Sequence, residues 1–193
     1  MSRRLAFDFD VERFVAATSF LVEKCPEVTK IKLFKLLYFA DKRHLLTYGR
    51  PIIGDRYIKM DHGPVPSKGY NLVKRDERAN AEDQELFDAY VTVQGNDLKT
   101  VNPPNLAYLS ETEIEVLDEV VREYGLLTAG QLSKLSHRDP AWMNAELNSD
   151  MDLRWIFVGG SENERLMERL AQEDQELRDE LIEAGFEGPF AEV

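Results

Sequence analysis

The segment IKLFKLLYFA, residues 31–40, is apolar on nearly every side. Ile31, Leu33, Phe34, Leu36, Leu37, Tyr38 and Phe39 leave only Lys32 and Lys35 as charged breaks. A helix of this kind has no polar face to turn to water, so it belongs at the centre of the fold. It is expected to run over residues 29–48, with Gly49 as its stop.

Other helices are marked by their ends. Asp10 is placed as an N-cap, with Phe9 and Phe14 as a hydrophobic staple, and the helix turning Phe14, Thr18, Leu21 and Val22 inward closes near Pro26. SETE at 110–113 and TAGQ at 128–131 have the capping-box spacing, stapled by Leu109 with Ile114 and by Leu127 with Leu132. The first of these two helices should face Ile114, Leu117, Val121 and Tyr124 to the core and end at Gly125. Asp139 followed by Pro140 is an N-cap with a first-turn proline, opening a short helix with Trp142 and Met143. SENE at 161–164 starts a long helix to about residue 184, striped by Leu166, Leu170, Leu177 and Leu181 and otherwise mostly charged.

The middle of the chain is extended. In IIGDRYIKM, residues 52–60, Ile52, Arg56, Ile58 and Met60 share one strand face, while Ile53, Tyr57 and Lys59 take the other. HGPVP follows at 62–66. Pro64 and Pro66 fix φ at two positions and disfavour helix before Pro66, so this stretch reads as a rigid corner that swings the chain from strand into a helix carrying Tyr70, Leu72 and Val73. Residues 76–85, DERANAEDQE, read as a polar loop, and 89–101 as a β-hairpin around a Gly-Asn turn. The expected fold class is mainly α with a small antiparallel β-sheet (α+β): a helical core around a central buried helix, plus a long C-terminal helix. One body is expected over 1–160, with an acidic helix and tail over 161–193 packed on it or projecting.

Composition narrows the function. No run of about 18 apolar residues suggests a membrane span, and MSRRLAFDFD has no apolar core of a signal peptide. A single cysteine, Cys25, excludes an internal disulfide and fits a cytoplasmic home. The net charge of −12 is unevenly spread. Residues 24–59 hold nine Lys/Arg against three Asp/Glu, and residues 161–193 hold eleven Asp/Glu against three Arg. Such polarity suits a protein that meets another charged macromolecule, because complementary fields steer encounter. An unevenly charged soluble surface is the bland alternative.

Catalytic and metal chemistry find little support. Cys25 with His44, His62 or His137 matches no nucleophile signature. Asp41 with His44, and Asp61 with His62, fall short of a zinc ligand set, and Asp139 beside His137 is explained by capping. No phosphate loop is present, and the prolines of HGPVP remove N–H groups that a phosphate cradle needs. No catalytic residue, metal or cofactor is therefore expected. The helices at 110–138 could form a DNA-reading pair, but only Lys134, His137 and Arg138 are offered and the flanks are acidic, so nucleic acid is the weaker reading. Lys32, Lys35, Lys42 and Arg43 form a basic stripe on the central helix. It is either a solvated face or a docking surface for an acidic partner.

Four motifs in order carry a resemblance: KLFKLLYFADKRHLLTYGRPI, HGPVPSKGY, LSETEIEVLDEVVREYG and LSKLSHRDPAW. Together, over about residues 29–145, they resemble the Panacea domain, also called the SocA-like antitoxin domain. The positions that match are Lys35, Leu36, Leu37, Tyr38, Asp41, Gly49, Gly63, Pro64, Pro66, Ser136, His137, Pro140 and Trp142. The resemblance implies a non-enzymatic antitoxin that binds and blocks a toxin encoded nearby, in a family that pairs one domain with many unrelated toxins. Most of the matching residues would build the fold. Two candidate toxin-binding surfaces follow. One is the basic stripe with the corner: Lys32, Lys35, Lys42, Arg43, Tyr57, Lys59, His62 and Tyr70. The other is the acidic helix, with Glu164, Glu168, Asp174 and Asp179. A proteolytic adaptor and a DNA-binding autoregulator are the alternatives, and self-association into a homo-oligomer stays open.

Overall fold

A computed structural model describes residue 5 and residues 7–157. The chain divides into two units, Met1–Ile156 and Phe157–Val193, a few residues before the expected boundary. The acidic helix with Glu164, Glu168, Asp174 and Asp179 lies outside the described residues. The described part is mainly helical with two small antiparallel sheets. In order it comprises α1 (Val11–Lys24), α2 (Lys30–Tyr48), β1 (Tyr57–Met60), β2 (Gly63–Pro66), α3 (Ser67–Lys74), α4 (Ala81–Tyr90), β3 (Val91–Gln94), β4 (Asp97–Thr100), α5 (Glu111–Tyr124), α6 (Ala129–Ser136) and α7 (Pro140–Met143). Short 3-10 turns cover Leu106–Tyr108 and Leu153–Phe157. Among the described residues no helix is long and apolar enough to cross a membrane.

α2 is the hub. It packs against α1, α5, α6 and β2, and it buries Leu33, Phe34, Leu36, Leu37, Tyr38, Ala40 and Leu45. Each large apolar side chain so buried contributes about 2 kcal/mol. Its ends are set locally: the Thr29 hydroxyl accepts from the Lys32 N–H, and Gly49 takes the left-handed conformation, φ 78°, that ends a helix cheaply only at glycine. Two apolar residues of the run sit at its margin. Ile31 is exposed, and the half-buried Phe39 stacks on Tyr124 at 4.7 Å.

The caps at Asp10, Ser110, Thr128 and Asp139 form as expected, and both capping boxes are closed on both sides. α5, however, is rotated by about one position from its expected face. Val116, Leu117 and Val120 are buried together with Glu113, while Ile114 and Val121 are only half-buried. The acidic side chain of the capping box goes inside because it has partners there: the Ser110 N–H at 2.7 Å and the Arg50 guanidinium at 2.5 Å. The expected polar loop at 76–85 is also corrected. Its second half is the first turn of α4, capped by Asn80 and anchored by the fully buried Phe87. The helix then takes Ala89 and Tyr90, leaving β3 to begin at Val91.

The largest correction concerns HGPVP. It is no corner but a strand. Gly63–Pro66 pairs antiparallel with Tyr57–Met60 in the register Tyr57 with Pro66, Ile58 with Val65, Lys59 with Pro64 and Met60 with Gly63. Residues 52–53, expected in the strand, precede it as buried irregular chain. Prolines are tolerated in a strand only where no ladder donor is needed. Here they stand opposite Tyr57 and Lys59, whose backbone groups point away from β2. The Lys59 N–H donates to Ser149 O at 3.0 Å, Lys59 O accepts from the Asn148 N–H at 2.8 Å, and Tyr57 O accepts from the Met151 N–H at 2.8 Å. Pro64 and Pro66 thus occupy the alternate positions, and β1 is bracketed by β2 on one side and by residues 148–151 on the other. The hairpin turns through Asp61 and His62, neither with positive φ, and then Gly63 at φ +101°. An ordinary turn followed by a left-handed glycine is a standard way to close a hairpin.

Candidate functional site

The β1–β2 hairpin lies against α2, and two polar groups of α2 hold it there. Lys35 is only 1% exposed and its ammonium donates to Pro64 O at 2.7 Å. One turn and a half further on, the buried Asp41 carboxylate accepts three hydrogen bonds: from the backbone N–H groups of Ile52 (2.8 Å) and Ile53 (3.0 Å), and from the Tyr57 hydroxyl (3.0 Å). Tyr38 packs edge-on against the Tyr57 ring at 5.1 Å. Asp41 therefore orders the whole approach to β1. Burial pushes its pKa up to about 7, against the three donors that favour the ionised form. Burial also pushes the Lys35 amine down to about 7.

At its turn end the hairpin meets the junction of α6 and α7. A Cβ placed on Gly63 would lie 2.4 Å from Ser136 Oγ, 2.7 Å from Lys35 Cε and 3.2 Å from Lys35 Nζ. Only glycine admits that approach. Beyond Ser136 the His137 ring stacks on Trp142, centroids 4.1 Å apart and nearly parallel, and the Trp142 indole N–H donates to Met60 O at 3.3 Å. The Lys59 ammonium sits over the same Trp142 ring, 4.2 Å from its centroid, and donates to Ala145 O at 2.9 Å. His137 Nε2 is buried without a hydrogen-bond partner. Burial first, then the positive charges of Lys35, His62 and Lys59, lower the His137 pKa, with the Asp61 backbone pulling the other way. His62 itself is exposed at the turn. So HGPVP and SHRDPAW, about seventy residues apart in the chain, close on one another around a group of cationic side chains.

This arrangement divides the expected toxin-binding residues. The basic stripe does not exist as a surface. Lys32 is buried and its ammonium donates to Pro26 O (2.7 Å) and Gly125 O (2.8 Å) at the ends of α1 and α5. Lys35 is buried under β2, as above. Lys42 pairs with Asp139 at 2.5 Å, and Arg43 with Glu119 (3.3 Å) and Glu123, so both half-buried cations are neutralised within the fold. Tyr57 is 1% exposed and serves Asp41, so it offers no contact surface. Tyr70 is half-buried against Phe34 at 5.9 Å. Of that group Lys59 is half-buried and His62 is exposed, both on the hairpin. A helical period treats lysine as solvent-seeking. It cannot see that main-chain carbonyls from distant segments will receive the amine.

Several residues of this face were not anticipated as contact surface. Trp142 is half-buried, and Met143 and Leu147 beside it are 61% and 51% exposed. The other polar residues weighed for chemistry are held by the fold. His44 accepts or donates at both ring nitrogens, to Arg50 O (2.7 Å) and the Thr112 hydroxyl (3.1 Å). Burial pushes the Cys25 thiol up, with Lys32 opposing, which leaves it a poorer nucleophile than a free cysteine. On the helical pair α5–α6, the outward face of α5 carries Glu111, Glu115, Asp118, Glu119 and Glu123, a surface that repels a phosphate backbone.

Residues 33–143, more than half of the chain, match the family model described as "Antitoxin SocA-like, Panacea domain". No curated protein and no solved structure matches the chain. The matched region contains α2 from Leu33 on, both hairpins, α5, α6 and α7, and with them the junction at Gly63, His137 and Trp142.

Proposed function

Because the chain belongs to the SocA-like antitoxin family built on the Panacea domain, we propose that it neutralises a cognate protein toxin by binding it directly. The observation that carries this reading is the family match, which spans the elements forming the junction of the β1–β2 hairpin with α7. Neutralisation is then steric. The antitoxin occupies a surface the toxin needs, and no bond is made or broken at a centre of its own. The geometry favours the junction as the contact surface. It is built on α2 and stiffened by two prolines, so little order has to be gained on binding. It also exposes a flexible apolar side chain, Met143, next to the half-buried Trp142, of the kind that anchors protein interfaces.

The test is co-expression with the open reading frame encoded beside this one. Direct neutralisation expects growth to be restored and the two proteins to purify together at unchanged toxin levels. Restored growth with loss of the toxin, reversed in protease-deficient cells, would instead identify a delivery role. Absence of any complex with a toxin that is neutralised would remove the reading.

A further inference from the structure

We infer that the toxin presents an acidic side chain, an aspartate or glutamate flanked by apolar residues, to the junction of the β1–β2 hairpin with α7, between Lys59, His62 and Trp142. The inference rests on the direct-binding reading and specifies the chemistry of its contact.

The first argument is uncompensated charge. Lys42, Arg43 and Arg50 each find a carboxylate within the fold. Lys35 and Lys59 do not. Among the described residues each ammonium donates to a backbone carbonyl, Pro64 O and Ala145 O respectively, and forms no ion pair. A carbonyl satisfies a hydrogen bond but brings no counter-charge; Lys35, 1% exposed, lies beneath the hairpin, so the cation a partner can reach is Lys59. The Lys59 ammonium lies over the Trp142 ring, 4.2 Å from its centroid, and His62 is exposed at the turn three residues on. An arriving carboxylate supplies what the fold omits. The second argument is an open polar valence. His137 Nε2 is buried and unpartnered in a stack that also supports Lys59, so a small shift of the stack gives a carboxylate a further donor. The third is the rim. Met143, next to Trp142 in the chain, is 61% exposed and offers apolar cover, which suits a carboxylate on an apolar protein surface. A nucleic acid would meet a chain of net charge −12.

The experiment uses the full chain co-purified with the neighbour-encoded toxin, its affinity measured at several salt concentrations. His62→Glu and Lys59→Met are made separately, with Lys99→Glu on the other hairpin as a control and thermal melting to confirm folding. Affinity is expected to fall about tenfold or more for His62→Glu, and the salt dependence to flatten for Lys59→Met, while Lys99→Glu binds like the parent. Reversal of one acidic toxin residue to lysine should restore binding to His62→Glu. If the parent complex forms and both variants bind unchanged, the acidic contact is wrong and direct binding stands. If the parent forms no complex, both fall.

Discussion

The described residues contain two β-hairpins of four residues a side, and they are built on opposite principles. β3–β4 turns through Gly95, φ +64°, with nothing within 4 Å of a Cβ placed there, and its strands are largely half-buried or exposed. β1–β2 turns into a glycine against which Ser136 and Lys35 are pressed, has all four residues of β2 buried, and rests on α2 through Lys35 and Asp41. Local turn chemistry is enough to specify the first. The second is specified by groups that arrive from sequence positions up to about ninety residues away. The β3–β4 turn is legible in its own residues, whereas β2 reads as a corner until its distant partners are known.

The two turn glycines give the sharpest test. Gly63→Ala must accept both a left-handed φ and a 2.4 Å approach to Ser136 Oγ. A loss of about 3 kcal/mol or more is expected in denaturant unfolding. Asp41→Asn comes next. The amide cannot accept with both ends, so one of Ile52, Ile53 or Tyr57 loses its acceptor. About 2–3 kcal/mol should be lost, with β1 amides showing the largest gain in hydrogen exchange. If β3–β4 amides respond equally to Asp41→Asn, the contrast between the hairpins fails.

Lys35 makes the contrast visible through pH. Its amine titrates near 7 in the fold but near 10.5 when unfolded. Between those values the unfolded chain binds more protons, so stability rises with pH, on the order of a few kcal/mol across the window. Lys35→Met should flatten that rise. Asp41 works on the other side of neutrality. Its folded pKa of about 7 lies above the unfolded 3.8, so its contribution is full below about pH 4 and is lost as pH rises to 7. The parent should therefore be least stable near neutral pH, and a stability profile without that trough would count against burial as the governing term. The smallest effect belongs to Gly95→Ala, which costs only the left-handed conformation, about 1 kcal/mol.

What the sequence revealed was local. α2 as the central helix follows from an apolar run with no polar side, and the ends of α1, α2, α5, α6 and α7 follow from caps whose donors lie within three residues. What it concealed was pairing across distance. The alternate placement of Pro64 and Pro66 in β2 depends on residues 148–151 taking the other edge of β1. The burial of Lys32, Lys35 and Glu113 depends on partners that no periodicity displays. α4 was hidden because only Phe87 of its residues is buried, too little to mark an amphipathic face. Of the candidate contact residues among those described, His62 is exposed and Lys59 half-buried, and Trp142, expected to build the fold, lies under the Lys59 ammonium.

Lys32 carries a consequence for how the chain comes together. Its ammonium joins Pro26 to Gly125, two points about a hundred residues apart. A growing polypeptide that has not yet released residue 125 from the ribosome leaves that amine, and the face of α2 that α5 covers, open to water. The N-terminal helices therefore gain their final seating late, once α5 has been made, and a fragment ending before Gly125 should remain loosely packed and vulnerable to proteases.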